Sequence, residues 1–400
     1  MSMTYKQTDW RILMTFISTS APGKCILFGE HAVVYGHPAV AVAIDQRITI
    51  KIQVSTSGIW LLDGMRLNMA RNPHIKGLID KLWPVNEGAP PLSIQIEGNI
   101  PRASGLGSSA ALSVALAGAL RLARGRWVKD SESNDQENWA EGFGSRVLGS
   151  NPYGEDSGLF VSNNSEELTL ITGKQSIDAD ENAILAHSVE AAAQNGRASP
   201  MDSSTCSHGG IVVISDQIEA DLTHLYRREL TMPDGERYWH IHELEVGEIS
   251  EEIYLVIGNT GVNAPTGKQV AKVAMMLEQN PALMDEIETI GKIARRGIDA
   301  LIAGDYEAVG RTMTENQIML KSIGVSSPEL DELIKAAAPT SLGAKLTGAG
   351  GGGCMIALTR NPKLTSDAIE LAGGRTLISK LGSLGMKIDS LTENTFWRKS

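Results

Sequence analysis

Five glycines, Gly348 and Gly350 to Gly353, interrupt an apolar stretch near the end of the chain. Each glycine loses much conformational entropy on folding and adds little to a helix or a strand. Apolar residues lie on both sides, Leu346 before the run and Met355 to Leu358 after it, so a flexible linker fits poorly. The segment Lys345 to Cys354 (KLTGAGGGGC) therefore predicts a backbone packed tightly against another loop or a phosphate group.

A second glycine segment, PRASGLGSSAA, spans Pro101 to Ala111. Gly105 and Gly107 let the backbone approach a ligand closely, and Ser108 and Ser109 then open an alanine-rich run that predicts a buried helix. A helix N-terminus offers unpaired N–H groups and the positive end of the helix dipole, so loop and helix together suit a phosphate group. On this segment alone, a plain glycine turn with a serine cap is an equal alternative.

Two other nucleotide-binding patterns fit less well. The letters GLGSSA match a loose dinucleotide-binding pattern, but such a lone match is weak. A dinucleotide-binding unit would also place an acidic residue about 20 positions further on, after a second strand, whereas this helix runs into a polar insertion. The stretch Gly261 to Gln269 (GVNAPTGKQ) has the wrong spacing for a Walker loop, and Gln269 stands where that loop needs Ser or Thr.

A third segment, Ser20 to Val34 (SAPGKCILFGEHAVV), places charged and polar groups around one apolar strand, Cys25 to Phe28. The groups are Lys24, Glu30 and His31. Charges this close to a strand core are costly unless they serve a ligand or each other. A solvated hairpin is the alternative.

The composition excludes some classes of protein. The chain has 400 residues, 42% of them hydrophobic, and a net charge of −11, which argues against nucleic-acid binding. No apolar run approaches the roughly 20 residues that span a bilayer. The three cysteines, Cys25, Cys206 and Cys354, show no metal-type pairing, and the first residues do not resemble a secretory signal, so we expect a cytoplasmic protein. Cys25 and Cys354 lie in two of the segments described, and Cys206 lies in the stretch Arg197 to Gly210, which contributes further site residues, so we expect a thiol reagent to inhibit.

The remaining chain mixes strands and helices. Alternating or short apolar runs predict strands at Arg47–Val54, Leu92–Glu97, Ile211–Ile214 and Tyr254–Ile257. Helices are predicted at Ser108–Arg124, ended by Gly125, at Ala183–Asn195, ended by Gly196, and through Ile287–Leu301. Two stretches, about 126–177 and 217–249, look like insertions made of surface loops and extra hairpins. Neither carries a chemical motif.

Taken in chain order, the segments Ser20 to Val34, Pro101 to Ala111 and Lys345 to Cys354 resemble the first, second and third signature motifs of the GHMP kinases. The stretch Ala21 to Ile44 (APGKCILFGEHAVVYGHPAVAVAI) resembles the mevalonate kinase branch of that superfamily. Two further stretches, Ile257 to Val273 and Thr314 to Ile334, resemble the same branch. The resemblance covers nearly everything except the N-terminal extension and the two insertions.

The resemblance implies an α+β, two-domain GHMP kinase fold. An N-terminal domain like domain 2 of ribosomal protein S5 would occupy 1–225, with the insertion at about 126–177. A ferredoxin-like C-terminal domain would occupy 250–400, and 226–249 would be a linker or insertion. The active site would lie in the cleft between the domains. Dimers are common in this family, so a homodimer is compatible with the resemblance.

The implied activity is transfer of the γ-phosphoryl group of ATP to the 5-hydroxyl of mevalonate. The stretch Arg197 to Gly210 (RASPMDSSTCSHGG) resembles the catalytic-base loop of the family and makes Asp202 the candidate base. Lys24 matches the lysine of the first motif, and a Lys–Asp pair facing one substrate oxygen keeps both groups ionised. The usual Ser-Gly-Ile-Asp is here Ser199-Pro200-Met201-Asp202, and Pro200 fixes φ and lacks an N–H, so the path of this loop is an open question.

The resemblance also implies Mg²⁺ and substrate ligands. Ser109 matches the metal-binding serine and Glu190 its glutamate partner, although one extra residue separates Glu190 from the base loop and leaves a solvated helix position as an alternative. Glu30 and His31 match positions that hold the substrate, together with Lys24 and Asp202. The ATP-binding positions implied are Pro101, Ser104, Gly105, Leu106, Gly107, Ser108, Ser109, Ala110, Gly348, Gly350 and Gly351.

Two other functions stay open. One is a related kinase acting on phosphomevalonate or on the 3-hydroxyl of mevalonate. A second phosphate in the substrate would call for extra Lys or Arg residues, and no basic cluster appears in the three motifs beyond Lys24 and Arg102. A ligand sensor without turnover should have lost Lys24 or Asp202, and both are present. No nucleic-acid or membrane partner is expected.

Overall fold

The computed structural model describes residues 16–83, 85, 89–101, 104–131, 178–194, 198–232, 235–246 and 252–391. This part of the chain forms two β-sheets with helices packed on them. Most of the first predicted insertion, as well as Arg102 and the N-terminal extension to residue 15, lies outside the described residues.

The strands are numbered in chain order. They are β1 (Ile17–Phe28), β2 (Ala39–Val54), β3 (Leu61–Leu62), β4 (Met65–Arg66), β5 (Leu92–Gly98), β6 (Ile211–Ser215), β7 (Thr223–Met232), β8 (Gly235–Leu244), β9 (Tyr254–Asn259), β10 (Gly343–Leu346), β11 (Cys354–Thr359), β12 (Arg375–Lys380) and β13 (Lys387–Leu391).

The helices are numbered in the same way. They are α1 (Pro73–Leu82), α2 (Ser108–Ser131), α3 (Ala179–Ala193), α4 (Met201–His208), α5 (Thr266–Gln279), α6 (Met284–Ile302), α7 (Tyr306–Ser322), α8 (Pro328–Ala337) and α9 (Pro362–Leu371). Short 3₁₀ turns occur at 32–35, 69–71, 281–283 and 338–340. None of these described helices combines the length and the apolar composition that a bilayer crossing requires.

The larger sheet has the strand order β4-β3-β5-β2-β6-β8-β7, and β1 pairs antiparallel with both β2 and β13. The first six residues of β2 (AVAVAI) are all buried, whereas its second half alternates between more and less buried positions. Helices α2 and α4 pack on β1 and β2. The small side chains of α2, such as Ala110, Ala111 and Ala115, are fully buried and let this helix lie close to the sheet.

The smaller sheet is antiparallel, with the order β10-β11-β9-β12. Its core includes Leu330 and Leu333 of α8 and Ile369 of α9. Helix α6 contacts β1 and β2 of the larger sheet, and a side chain at Gly297 would collide with the ring of Phe28. The two sheets are thus joined by direct packing as well as by the chain, and the mixed α+β class is confirmed.

Both ends of the described chain meet in the larger sheet. Strand β13 pairs with β1, and the guanidinium of Arg47 donates to the carbonyl oxygens of Leu384 and Gly385, both at 2.7 Å. The hairpin β7–β8, which lies in the predicted linker and insertion, extends the same sheet through β6. The domain boundaries proposed from the sequence stay a prediction.

Some predicted element ends were wrong. Helix α2 continues past Gly125 to Ser131, because the following residues, RWVKDS, contain no proline and tolerate helix. Helix α3 begins four residues before the predicted start, where the Asp178 side chain accepts a hydrogen bond from the N–H of Glu181 at 3.0 Å. The predicted stop at Gly196 lies outside the described residues. The predicted strands all lie within β1, β2, β5, β6 and β9.

Candidate active site

The glycine loop before α2 has the conformation that only glycine adopts easily. Gly105 and Gly107 have φ values of 83° and 71°. The helix begins at Ser108, and the N–H of Ala111 donates to the Gly107 carbonyl at 2.9 Å. The N–H groups of the residues before Ala111 have no partner within the helix, so they are available to an anion.

The two glycine segments pack backbone against backbone. A side chain at Gly105 would meet the Thr347 carbonyl oxygen at 3.1 Å, and one at Gly348 would meet the Gly105 Cα at 3.2 Å. A side chain at Gly353 would meet the Ser104 carbonyl oxygen at 2.9 Å. The tight packing predicted for the glycine run is thus confirmed, and its partner is the loop that leads into α2.

Lys24 of β1 and Asp202 of α4 form an ion pair. Lys24 Nζ lies 3.1 Å from Asp202 Oδ1 and donates to the Gly105 carbonyl at 2.9 Å. The Lys24 side chain is 3% exposed and that of Asp202 is 31% exposed. Burial acts to lower the pKa of Lys24, but the Asp202 carboxylate outweighs this and raises it. Lys24 is therefore a charged ammonium group beside the glycine loop that precedes α2.

Pro200 does not prevent the loop from delivering Asp202. It caps α4 with φ −73°, close to the angle that proline prefers, and Asp202 follows in the first turn. A residue at a helix start has no intrahelical use for its N–H, so the loss of this donor is tolerated. An acidic side chain in the first turn also interacts favourably with the helix dipole.

Ser109 and Glu190 meet across two helices. Ser109 Oγ donates to Glu190 Oε1 at 3.2 Å. Glu190 is 5% exposed, so the alternative of a solvated helix position is excluded. Its other oxygen, Oε2, is buried and has no hydrogen-bond partner among the described residues. Burial, with the Asp202 charge nearby, raises the pKa of Glu190 to about 8.

Glu30 is held in a buried ion pair that the sequence motifs did not reveal. Lys345 of β10 donates to Glu30 Oε1, and Asn316 of α7 donates to Oε2 at 2.9 Å. All three residues are essentially inaccessible. The one sequence signal for Lys345 was a lysine inside the apolar strand Gly343–Leu346, which must find a partner when buried.

His31 links the first motif to the third. Its ring Nε2 lies 3.0 Å from the Ala349 carbonyl oxygen, and its backbone has a positive φ of 62°. Burial lowers the pKa of His31 to about 4. The ring is therefore neutral near pH 7 and donates its Nε2–H to the loop of the glycine run.

Two buried neutral histidines predict a loss of stability in acid. Burial lowers the pKa of His187 to about 3, and that of His31 to about 4, whereas an unfolded histidine has a pKa near 6.5. Below pH 6.5 the two histidine rings bind protons in the unfolded chain but stay neutral in the folded chain. The free energy of unfolding should therefore fall by roughly 1 kcal/mol per pH unit and per histidine as the pH drops from about 6.5 toward 4.

Urea unfolding at pH 7.5, 6.0 and 5.0 measures this effect. A His187→Gln variant is the control, because it removes one titrating ring and should show the shallower pH dependence. A midpoint that does not move between pH 7.5 and 5.0 would contradict the prediction.

One cavity of about 850 Å³ gathers most of the predicted site residues. Its lining includes Lys24, Glu30, His31, Ser104, Gly105, Leu106, Gly107, Ser108, Ser109, Glu190, Asp202 and Gly348. Four predicted positions do not line it: Pro101, Ala110, Gly350 and Gly351. Gly350 and Gly351 lie against Val325 instead, and the Gly351 N–H donates to the Val325 carbonyl at 2.7 Å.

The cavity also has a wall that the motifs did not indicate. Arg71, Asn72 and His74 line it around the start of α1, and Leu62 and Asp63 line it beside β3. These residues belong to short elements without a distinctive local pattern, so only the folded chain reveals that they share a surface with the glycine loops.

The cysteines are less accessible than their positions in the sequence suggested. Cys25, Cys206 and Cys354 are all 0% exposed, and burial raises the pKa of each thiol, that of Cys354 to about 12. A thiol reagent reacts with a cysteine only when the sulfur is accessible and can ionise to the thiolate. The expected inhibition by thiol reagents therefore finds no support in the folded chain.

Comparison with known proteins identifies relatives that cover most of the chain. Residues 74–142 match the GHMP kinases N terminal domain, and residues 298–371 match the GHMP kinases C terminal family. A mevalonate kinase of Methanothermobacter thermautotrophicus is 32% identical over 345 residues, covering 85% of this chain and 89% of the relative. A mevalonate kinase of Archaeoglobus fulgidus is 31% identical over 349 residues, covering 86% and 93%.

A solved structure agrees with this. The crystal structure of the Methanococcus jannaschii mevalonate kinase superposes with a TM-score of 0.59 at 25% identity, covering 95% of this chain and 100% of that one. The resemblance and the two-domain GHMP kinase fold predicted from the motifs are confirmed. The chain belongs to the mevalonate kinase family of the GHMP kinases.

Proposed function

We propose that this chain is an ATP-dependent mevalonate kinase that transfers the γ-phosphoryl group of ATP to the 5-hydroxyl of mevalonate. The observation that carries the proposal is the Lys24–Asp202 ion pair, 3.1 Å long, beside the N-terminus of α2 in one cavity. Relatives that are named mevalonate kinase and align with most of the chain support the choice of substrate.

On the acceptor side, Asp202 is the proposed general base. Its carboxylate is partly exposed to the cavity and accepts the proton of the substrate hydroxyl as the phosphoryl group moves. Lys24 pairs with that carboxylate and stabilises negative charge on the transferred group. Of its three ammonium protons, the contacts described above use two, which leaves one for a substrate oxygen.

On the nucleotide side, the loop at Gly105 and Gly107 and the first turn of α2 are proposed to bind the phosphates. The positive φ angles keep side chains out of this loop, and the N–H groups at the start of α2 supply donors. Gly348, which packs against Gly105, also lines the cavity and extends this surface. Since Gly350 and Gly351 do not line the cavity, their proposed role is to shape the loop that carries Gly348.

Ser109 and Glu190 are the proposed Mg²⁺ ligands. A hydroxyl and a carboxylate oxygen suit a hard cation, and the unpartnered Glu190 Oε2 is the kind of buried atom that a cation would satisfy. No group of three or more His, Cys, Asp or Glu side chains in the described residues forms a metal site, which fits a cation that takes its other ligands from phosphates and water. When bound, Mg²⁺ would neutralise phosphate charge.

Glu30 and His31 remain the proposed substrate-binding residues. Both line the cavity next to Lys24. Lys345 and Asn316 each donate to one oxygen of Glu30, which fixes this carboxylate at the cavity wall. A cytoplasmic location and a homodimer complete the proposal, the location supported by three cysteines that form no disulfide.

The proposal is tested by ADP release with Mg·ATP, comparing mevalonate, 5-phosphomevalonate and homoserine. We expect turnover with mevalonate and a product phosphorylated at the 5-position. Among the described residues that line the cavity, two are lysine or arginine, Lys24 and Arg71. Two basic side chains are few for a substrate that carries its own phosphate group. Turnover with phosphomevalonate alone would identify phosphomevalonate as the substrate instead. ATP binding without turnover of any of the three compounds would indicate a ligand sensor.

A further inference from the structure

The second insertion carries no catalytic motif, yet its first strand, β7, turns two polar side chains toward the base loop. Tyr226 is 7% exposed and Arg228 is 3% exposed. Arg227 and Glu229, which alternate with them, are exposed and pair with each other at 2.6 Å. Because alternate residues of a strand share a face, β7 has a solvent face and a polar inner face.

Arg228 reaches the base loop through a histidine. Its Nε donates to His187 Nδ1 at 2.9 Å, and His187 Nε2 lies 3.0 Å from the carbonyl oxygen of Ala198. Arginine only donates, so Nδ1 must be the acceptor and Nε2 must carry the proton. His187 is therefore fixed in one neutral tautomer that donates to Ala198, four residues before Asp202.

Tyr226 reaches the same loop through a serine. Ser204 Oγ lies 2.5 Å from the Pro200 carbonyl oxygen and 2.8 Å from Tyr226 Oη. The single proton of Ser204 goes to the Pro200 carbonyl, which cannot donate, so the Tyr226 hydroxyl donates to Ser204. The carbonyls of Ala198 and Pro200, on both sides of Ser199, are thus tied to one strand.

We propose that β7 positions the catalytic base, and that this is the role of the second insertion. Arg228 acts through His187, and Tyr226 acts through Ser204. Both tethers hold the segment from Ala198 to α4 and so keep the Asp202 carboxylate in contact with Lys24. The inference rests on the proposed role of Asp202 and makes Tyr226, Arg228 and His187 positioning residues, since none of them lines the cavity.

Tethering matters here because Asp202 lies on a short helix of eight residues whose start is set by proline. Pro200 cannot donate a backbone hydrogen bond, and its carbonyl accepts from the Ser204 N–H and from the hydroxyls of Ser203 and Ser204, all within α4. The contact of Tyr226 with Ser204 is therefore what joins this turn to β7. A displacement of about 1 Å in a catalytic group lowers turnover by as much as about 100-fold. Loss of either tether should therefore reduce kcat more than it weakens substrate binding.

The test combines steady-state kinetics with amide hydrogen exchange on the full chain. Tyr226→Phe removes one hydroxyl, and His187→Leu removes both hydrogen bonds of the other tether. We expect each to lower kcat about 10- to 100-fold with KM values for ATP and mevalonate changed by less than about threefold. Amide exchange over residues 201–208 should become faster.

Three controls separate positioning from general stability. His187→Gln keeps a donor and an acceptor and should restore most of the kcat lost in His187→Leu. Arg227→Gln, on the solvent face of β7, should change neither kcat nor exchange. Tyr226→Phe should have no further effect on the residual rate of an Asp202→Ala chain, because the group that it positions is already gone.

Two results would overturn the inference: an unchanged kcat in both Tyr226→Phe and His187→Leu, or an equal loss from Tyr226→Phe with and without Asp202. If the unaltered chain does not phosphorylate mevalonate, the proposed function fails on its own. Amide hydrogen exchange over residues 201–208 then tests whether Tyr226 and His187 hold α4. Unchanged exchange in both variants would reject this role, and faster exchange would support it.

Discussion

Replacing Asp202 with asparagine is expected to lower kcat for phosphoryl transfer to mevalonate by about 10²- to 10⁴-fold, the contribution typical of a positioned general base. Asparagine has nearly the shape of aspartate, so the loop and the contact with Lys24 should persist while the proton acceptor is lost. The rate of ADP release at saturating Mg·ATP and mevalonate measures the effect. A nucleotide-binding titration should show little change, because the phosphates are proposed to bind at α2.

Asp80→Asn is a matched control for this substitution. Asp80 is 56% exposed on α1, where it pairs with Lys76, and it does not line the cavity. Its kcat should equal that of the unaltered chain. An Asp202→Asn chain that keeps more than about a tenth of its kcat would reject Asp202 as the base.

Replacing Lys345 with methionine is expected to lower the free energy of unfolding by about 3–5 kcal/mol, the loss typical of breaking a buried ion pair. The side chains of Lys345 and Glu30 are 0% and 1% exposed. Removal of the lysine would leave the Glu30 carboxylate buried with only Asn316 as a charge-neutral partner. Urea unfolding of the chain without ligands measures the loss.

Lys363→Met is the matched control, because it breaks another lysine–carboxylate pair at the surface. Lys363 and Asp367 are 80% and 46% exposed, so loss of this solvent-screened pair should change the free energy of unfolding far less than Lys345→Met does. Adding Glu30→Gln to Lys345→Met should recover part of the lost stability, since no unpaired charge then remains. A loss of less than about 1 kcal/mol from Lys345→Met would contradict the prediction.

The Glu30–Lys345 ion pair also connects the larger sheet to the smaller sheet at the site. Glu30 follows β1, Lys345 lies in β10, and Asn316 lies in α7. His31, the next residue after Glu30, donates to Ala349 in the glycine run. The end of β1, which carries Lys24, is therefore held from the smaller sheet, and a change in Lys345 should affect the site as well as stability.

Several features of the fold and site could be predicted from short-range patterns. Glycine runs with positive φ, the serine-led helix after Gly107 and the strand that carries Lys24 all depend on residues close together in the chain. Motifs in a fixed order then allowed Lys24, Asp202, Ser109 and Glu190 to be assigned together. The folded chain brings all of them to one cavity.

Other features could not be read in this way. Glycine is a common helix stop, yet α2 continues through Gly125, since a stop also needs a neighbouring sequence that leaves the helix. The hairpin β7–β8 looked like an ordinary surface insertion, because its inner face is defined only by what it packs against. The partners of Glu30 lie 315 and 286 residues away along the chain.

The sequence by itself determined the family, the glycine loops and the residues that carry the proposed chemistry, because each depends on local conformation or on motifs with specific residue types. Only the tertiary structure decided how deeply each carboxylate is buried, with Glu190 and Glu30 buried and Asp202 partly exposed, and that Glu30 pairs with Lys345. Burial and ion pairing arise from contacts between distant segments, and such contacts leave no periodic signal in the chain.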